Sequence, residues 1–363
     1  MALILTDDEL ALADSVRKFV ADRSPLTSLR GLIASGEPYD ADVWKQMTTQ
    51  LGLTGLAIPE EYGGAGAGVS ALSVALTELG AGLVASPLLA SVLAAEVLLR
   101  LDDAAAKADL LPKIAEGELI ATLVVASAAG GRVAASGAGD GVAMTGTVSP
   151  VLNGAEADVL LVPAAGDDRQ VTVYLVSADA AGLERTRLTA VDHSRSLARV
   201  RLSGTPGRAL AGDGAAALAA ASNLANLALA SESSGALKAC LDMTAAYARI
   251  RVAFGQPIGA FQAVKHKLAD IEKAWELGNA ALRDAARAGD DDAGRFAVAA
   301  AVARVLIASA YGDAVVDTVQ LHGGIGFTWE HDAHLYYKNG LSNKVLFGGP
   351  GDQLDQLADS LGL

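Results

Sequence analysis

The sequence predicts an α+β chain that is mostly α: an N-terminal helical domain (1–116), a middle antiparallel β domain (117–210) and a C-terminal helical bundle (211–363). Apolar residues recur at helical spacing towards both ends, while the stretch between them holds short β-prone segments parted by Gly, Asp and Ser. Alanine runs stand where aromatic residues, only 4% of the chain, are scarce. Alanine favours helix and lets helices approach closely, which suits tight bundles.

Thr6 ahead of Asp7, Asp8 and Glu9 reads as an N-cap with an acidic first turn, opening the run Leu10, Ala13, Val16, Phe19. Trp44, Met47, Leu51 and Leu53 carry the pattern to a turn-rich stretch, Ile58-Pro59-Glu60-Glu61-Tyr62-Gly63-Gly64. Helix resumes from Ser70 through Leu99 and again near Leu110. Ile120 to Val125, Val159 to Val162 and Val171 to Val176 read as short strands of an antiparallel sheet or small barrel. The Gly-rich stretch 128–141 reads as loops; with no GxxxxGK and no following helix, it is not a phosphate cradle. Beyond 211, helical patterns over about 212–250, 259–287, 291–322 and 350–361 predict an antiparallel bundle.

With 363 residues, 52% of them apolar, the chain can bury a large core. Its formal charge of −14 opposes binding to nucleic acid or to an anionic membrane surface. The lone Cys240 has no partner for a disulfide and reads as a small core residue. The first residues lack the basic and apolar regions of a signal peptide. Ala-rich 211–230 comes nearest to a spanning helix, but Asp213, Ser222, Asn223 and Asn226 interrupt it. The expectation is a soluble cytoplasmic protein.

Three stretches carry more than composition. The first is Arg251-Val-Ala-Phe254-Gly255-Gln256-Pro257-Ile258-Gly259-Ala-Phe261-Gln262-Ala-Val-Lys265-His266-Lys267-Leu-Ala-Asp270. Here a helix ends, a Gly/Pro turn follows and a second helix begins near Phe261. Arg251 is a planar cationic fork suited to phosphate, Phe254 offers a ring face, and Gln262 both donates and accepts. Taken bare, these pieces also fit an ordinary helical hairpin with a solvated arginine. The second is Gln320-Leu-His322-Gly323-Gly324-Ile-Gly326-Phe327-Thr-Trp329-Glu330-His331-Asp332, whose glycines let a phosphate approach the backbone, or simply end a helix. His322, His331 and His334 lack the spacing of a metal motif, and His331 with His334 reads as a helix pair. The third is Gly52-Leu-Thr-Gly55-Leu-Ala-Ile58-Pro59-Glu60-Glu61-Tyr62-Gly63-Gly64, alone a loop.

Taken together, in this order and spacing, the three stretches resemble the acyl-CoA dehydrogenase family over essentially the whole chain. The resemblance implies an N-terminal helical domain, a middle β domain and a C-terminal four-helix bundle, usually assembled as a tetramer or dimer of dimers with FAD held between subunits. It implies that Arg251, Phe254 and Gln262 contact the FAD of one site, and that Gln320, Gly323 and Gly324 receive the adenosine-diphosphate part of FAD from the neighbouring chain. It also implies an acyl-CoA substrate, which is polyanionic and needs local cations in so acidic a protein, and an electron-transferring flavoprotein as acceptor.

The reactive end departs from the family. Desaturation needs a carboxylate to remove the α-proton while the flavin accepts the β-hydride. The two usual positions of that glutamate fall here on Phe347 and on Ala225, with Asn226 next to it where the family often has arginine. The β domain's flavin-contacting segment reads Val125-Ala-Ser127-Ala-Ala-Gly130-Gly131, keeping glycines and losing polar side chains. The pattern resembles the small, base-lacking subunit of the α2β2 acyl-CoA dehydrogenases of actinobacterial steroid side-chain catabolism. In those heterotetramers a larger subunit supplies the base, which implies a bulky, steroid-like acyl group. The rival readings are a self-sufficient homo-oligomeric flavoenzyme with a relocated base, Glu232 or more weakly Glu330; a different flavin-linked oxidation or elimination on the same scaffold; and a non-catalytic structural partner. Glu232 sits about two turns from the usual helix position, and a structural ion pair is its competing role.

Overall fold

The computed structural model describes residues 3–125, 131–137, 142–165 and 170–361. In chain order they form helices α1 (Asp7–Arg23), α2 (Leu26–Ser35), α3 (Ala41–Thr49), α4 (Gly68–Ala81), α5 (Leu88–Arg100) and α6 (Ala104–Ala115). Strands follow: β1 (Ala121–Leu123), β2 (Val133–Ser136), β3 (Ala143–Leu152), β4 (Val159–Ala165), β5 (Val171–Ser177), β6 (Leu183–Arg187), β7 (Leu197–Pro206) and β8 (Arg208–Ala209). The chain then runs through α7 (Gly214–Ile250), the two-residue strands β9 (Val252–Ala253) and β10 (Gln256–Pro257), α8 (Gln262–Asp291), α9 (Ala293–His322), α10 (Ala333–Val345) and α11 (Pro350–Leu361). The α+β, mostly helical class expected from the sequence is what the chain adopts. The residues divide into two compact units, one of 1–31, 69–84 and 226–363, the other of 32–68 and 85–225.

The first unit is helical. Thr6 caps α1 in a reciprocal box: its hydroxyl accepts from Glu9 N at 3.3 Å, and its own N donates to Glu9 Oε2 at 2.8 Å. Ala13, Val16 and Phe19 are buried as their spacing predicts. Helices α4 and α7 cross backbone to backbone at two glycines. A Cβ on Gly80 would stand 2.2 Å from Glu232 O, and one on Gly235 would stand 1.8 Å from Thr77 O. Asp292 caps α9 by accepting from Gly294 N and Arg295 N, both at 3.1 Å. It thereby turns α8 back onto α9, where Leu282, Ala285, Ala300, Ala303 and Ile307 share a core.

The second unit is built on an eight-stranded sheet in the order β6-β7-β3-β2-β4-β5-β8, with β1 on β4. Alternation along β4 puts Leu161 in a core with Leu98, Leu111 and Ile114 of α5 and α6, and Leu160 and Val162 in a second core with Met144, Val148 and Val200. The three strands read from sequence are β1, β4 and β5.

Several expectations need correcting. The sheet is antiparallel apart from β1–β4 and β2–β4, which pair in parallel. The Gly-rich stretch holds a strand: β2 pairs with β3 through Val133↔Gly146 to Ser136↔Ala143, and small side chains concealed it; residues 128–130 and 138–141 of that stretch lie outside the described residues. The helix expected from Ser70 to Leu99 is two, broken where Leu83 takes φ 49° and Pro87 precedes α5. Helix α10 was unforeseen. Finally, α7 and the segment 293–327 are long and apolar enough to cross a membrane, contrary to the sequence reading. In α7, 61% of the apolar window is buried inside the protein, and alanine-rich core helices pass that test as readily as spanning ones.

Candidate functional site

Helix α7 ends at Ile250, and the chain reverses through a hairpin pairing Val252 with Pro257 and Ala253 with Gln256. The two turn residues, Phe254 (φ 53°) and Gly255 (φ 80°), both have positive φ, as a tight two-residue hairpin demands. Glycine accepts this freely; a bulky phenylalanine does so at a cost in strain. The strained Phe254 is also 96% exposed, touching Phe261 edge-on at a centroid distance of 6.2 Å. A large ring held out on a strained backbone is poor for stability and suited to meeting something outside the chain. Arg251 is fixed by its backbone, N to Tyr247 O at 2.9 Å and O from Ile258 N at 2.8 Å. Its guanidinium is exposed and has no carboxylate partner among the described residues. Gln262, at the start of α8, is exposed too.

Helix α9 ends at Gly323, with φ 63° and ψ −145°, a region open in practice only to glycine. The glycines of this motif serve different ends. A Cβ on Gly323 or Gly324 would meet nothing within 4 Å, whereas one on Gly326 would lie 3.0 Å from Val319 O and 3.1 Å from His322 Cβ. Gly326 is there for packing; Gly323 and Gly324 leave bare backbone facing open space beside the exposed Gln320.

The α7 and α9 ends meet. Tyr247, one turn before Arg251, stacks on His322 at 4.4 Å, and its hydroxyl donates to His322 O at 3.4 Å. His331 continues the stack at 4.3 Å from His322. The Nδ1 of His322 lies 2.7 Å from Thr318 O, so that nitrogen carries the proton, and Nε2 is a buried acceptor without a partner among the described residues. Burial pushes His322 and His331 below the ordinary histidine range, and pushes His334 down to about 4 with help from the Lys338 charge. All three are neutral at pH 7 and act as aromatic packing. His331 and His334 are not a helix pair: His331 precedes α10, and only His334 lies in it, edge-on to Trp329. Because α8 and α9 are antiparallel neighbours, Gln262 and Gln320 come to the same end of the bundle, where Lys267 pairs with Asp317.

Phe347 occupies a turn between α10 and α11 with φ 58°, and Ala225 and Asn226 are buried in α7 at 4% exposure each. None of them can take a proton. Glu232 is half-buried on α7, its backbone against Gly80; Glu330 is exposed in the turn after the glycines. The segment from Ala126 to Gly130, read as the degenerate flavin-ring contact, lies outside the described residues. Sequence reading missed Tyr247 and Arg30. For Tyr247 the signal was its position four residues before Arg251. For Arg30, whose guanidinium donates to the Asp332 carboxylate and to His331 O in the turn after the glycines, there was none, because those partners lie some 300 residues away.

Sequence models of the acyl-CoA dehydrogenase N-terminal and C-terminal domains match residues 6–118 and 212–362. The chain is 33% identical to the acyl-CoA dehydrogenase IpdE2 of Mycobacterium tuberculosis over 353 residues, covering 97% of this chain and 96% of that protein. This chain belongs to the acyl-CoA dehydrogenase family. It is accordingly placed among oxidoreductases that act on a CH–CH bond. Among solved structures it is similar to the ChsE4–ChsE5 complex of Mycobacterium tuberculosis, with 30% identity, a TM-score of 0.93 and coverage of 100% of this chain and 99% of that one. It is also similar to a variant of the Tcur3481–Tcur3483 steroid ACAD, with 32% identity, a TM-score of 0.90 and 98% coverage of both chains.

Proposed function

We propose that this chain is the FAD-binding, base-lacking subunit of a heteromeric acyl-CoA dehydrogenase. In this reading, a larger subunit supplies the proton-abstracting carboxylate in an α2β2 assembly that desaturates a bulky, steroid-like acyl-CoA. The observation that carries it is a contrast within one chain. The groups suited to a dinucleotide are intact and open, while both usual base positions hold side chains that cannot ionise.

The residues present fit FAD. The unpartnered Arg251 fork matches phosphate oxygens, Phe254 presents a ring face, and Gln262 and Gln320 supply neutral hydrogen-bonding groups. The bare backbone at Gly323 and Gly324 leaves room that a Cβ would fill. FAD, when bound, supplies the acceptor for the substrate's β-hydride. What this chain does is hold and orient it; removal of the α-proton belongs to a carboxylate that neither Phe347 nor Ala225 provides. A partner is further supported by the segment 293–327, whose most apolar stretch is only 33% buried by this chain, and by the exposed Phe327, Leu341 and Val345. The two similar solved structures are named as paired proteins, one of them a steroid ACAD. We further propose a cytoplasmic location, a division into domains at 116/117 and 210/211, and an electron-transferring flavoprotein as acceptor.

The test is purification of the chain alone and co-expressed with a larger dehydrogenase homologue, measuring flavin absorbance per chain, mass and acyl-CoA oxidation. One FAD per heterodimer, with activity confined to the mixture, supports the proposal. A fully flavinated homo-oligomer that oxidises acyl-CoA unaided would overturn it and point to Glu232.

A further inference from the structure

The helical unit contains a cavity of about 540 Å³ walled by α1, α4, α7 and α8 and lined by none of the residues assigned to the cofactor or to the base. Its volume lies within the range of small-molecule sites, roughly 300–1,000 Å³. The walls are largely apolar, with Leu5, Ala13, Val74 and Leu282 beside the Trp275 ring.

The charges around it cancel. The lining carries four basic side chains (Arg17, Lys238, Arg283, Arg287) and four acidic ones (Glu9, Asp14, Glu78, Asp242), a net of zero. Most are already matched: Arg17 to Glu78 at 2.6 Å and Asp14 at 2.7 Å, Arg287 to Glu9 at 2.5 Å, and Lys238 to Asp242 at 2.5 Å. The remaining cation, Arg283, donates to Leu3 O at 3.0 Å. Only Arg283 lacks a carboxylate partner among the described residues; an anion placed on it would compete with Leu3 O and leave a lining that is neutral overall with a net negative charge.

Neutral polar groups, by contrast, are left over. Asn279 lines the cavity, and its carboxamide has no hydrogen-bond partner among the described residues. The hydroxyls of Ser70 and Ser234, residues only 4% and 1% exposed, are buried in the same wall without partners among the described residues. Buried polar groups are normally satisfied.

We propose that this cavity binds an uncharged, mostly apolar molecule carrying a single hydroxyl or carbonyl, with the apolar body against Val74, Leu282 and Trp275 and the polar group on Asn279. The site is independent of the cofactor reading and needs no partner chain.

The probes are 1-decanol and decanoate, titrated into the full-length chain by calorimetry with Trp275 fluorescence as a second readout. Saturable one-to-one binding of decanol is expected, with decanoate weaker by about tenfold or more because it adds a net charge to a lining that is neutral overall. Asn279→Leu is expected to weaken decanol about fivefold or more by removing its hydrogen bond. Val74→Trp, which fills the space, is expected to abolish binding, with circular dichroism reporting that the fold is kept. The proposal is overturned if decanol does not saturate, if decanoate binds as tightly, or if a folded Val74→Trp protein binds decanol unchanged.

Discussion

Arg30 of α2 grips Asp332, donating from Nε at 3.1 Å and from Nη2 at 2.7 Å to the same carboxylate oxygen. The same guanidinium donates to Trp329 O at 2.5 Å and His331 O at 2.9 Å. One side chain thus fixes the turn that follows Gly323 and Gly324. We expect Arg30→Gln to cost about 1–2 kcal/mol of stability, as loss of a partly exposed charged network should. The larger effect should be on flavin affinity, lowered about tenfold by a loosened turn. Arg30→Lys should restore the charge without the fork and recover little of that affinity. Flavin titration of the reconstituted complex beside denaturant unfolding tests this; an unchanged affinity would show that the grip is structural alone.

The two open glycines separate strain from access. At Gly323 the backbone geometry excludes other residues, so Gly323→Ala should lose about 1–3 kcal/mol of stability. Gly324 has no positive φ, and a methyl added there would meet nothing within 4 Å. Gly324→Ala should therefore unfold like the wild type, within about 0.5 kcal/mol, yet bind flavin more weakly if the cofactor backbone passes close by. Equal flavin affinity for Gly324→Ala and wild type would remove this turn from the cofactor site.

What could be read in advance follows from how local each interaction is. The Thr6 cap of α1 with its acidic first turn is local and was legible, as was the turn joining α7 to α8, because Gly255, Pro257 and Gly259 advertise it; the reciprocal bond from Thr6 N to Glu9 was added by the structure. Helix α10 was not legible, since its buried face mixes His334, Asn339, Gly340 and Asn343 with Ala333, Leu335 and Tyr336 and so shows no clean apolar period. Two of those groups depend on distant partners: the Tyr311 hydroxyl donates to Asn339 Oδ1 at 3.0 Å, and Asn343 Nδ2 donates to Ser233 Oγ at 3.2 Å. Strand β2 was hidden for the same reason, because its alanines gain a β identity only from β3 alongside. At the site, the motif residues were legible singly, but the Tyr247–His322 stack that joins their turns depends on helix packing that no single stretch encodes.

Glu232 offers a decisive negative. Its backbone lies at the α4–α7 crossing, which tolerates nothing larger than glycine at 80 and 235. Gly235→Ala should therefore destabilise the chain by about 1–3 kcal/mol through overpacking. Glu232→Gln keeps the volume, and if the partner subunit holds the base it should leave acyl-CoA oxidation by the complex within about twofold of wild type. A fall of about 100-fold or more, the usual scale for loss of a general base, would return Glu232 to the catalytic role.

The Glu9–Arg287 pair makes stability depend on pH in a defined direction. Arg287 Nη1 and Nη2 donate to the two oxygens of Glu9 at 2.5 Å each, and these bonds hold the Glu9 carboxyl below the usual glutamate range despite the opposing effect of burial. A carboxyl whose folded pKa is depressed stabilises the fold fully above its unfolded value, near 4.5, and loses that contribution as pH falls through the folded value. Glu9→Gln should accordingly cost about 1–3 kcal/mol at pH 7, where Arg287 is left without its counter-charge. As pH falls from 4.5 through the depressed folded value, the gap between variant and wild type should close, because Glu9 protonated in the fold resembles the amide. Urea unfolding of both proteins across that range measures it; a gap independent of pH would mean that the pair contributes through packing around α1 and α8 and not through its charge.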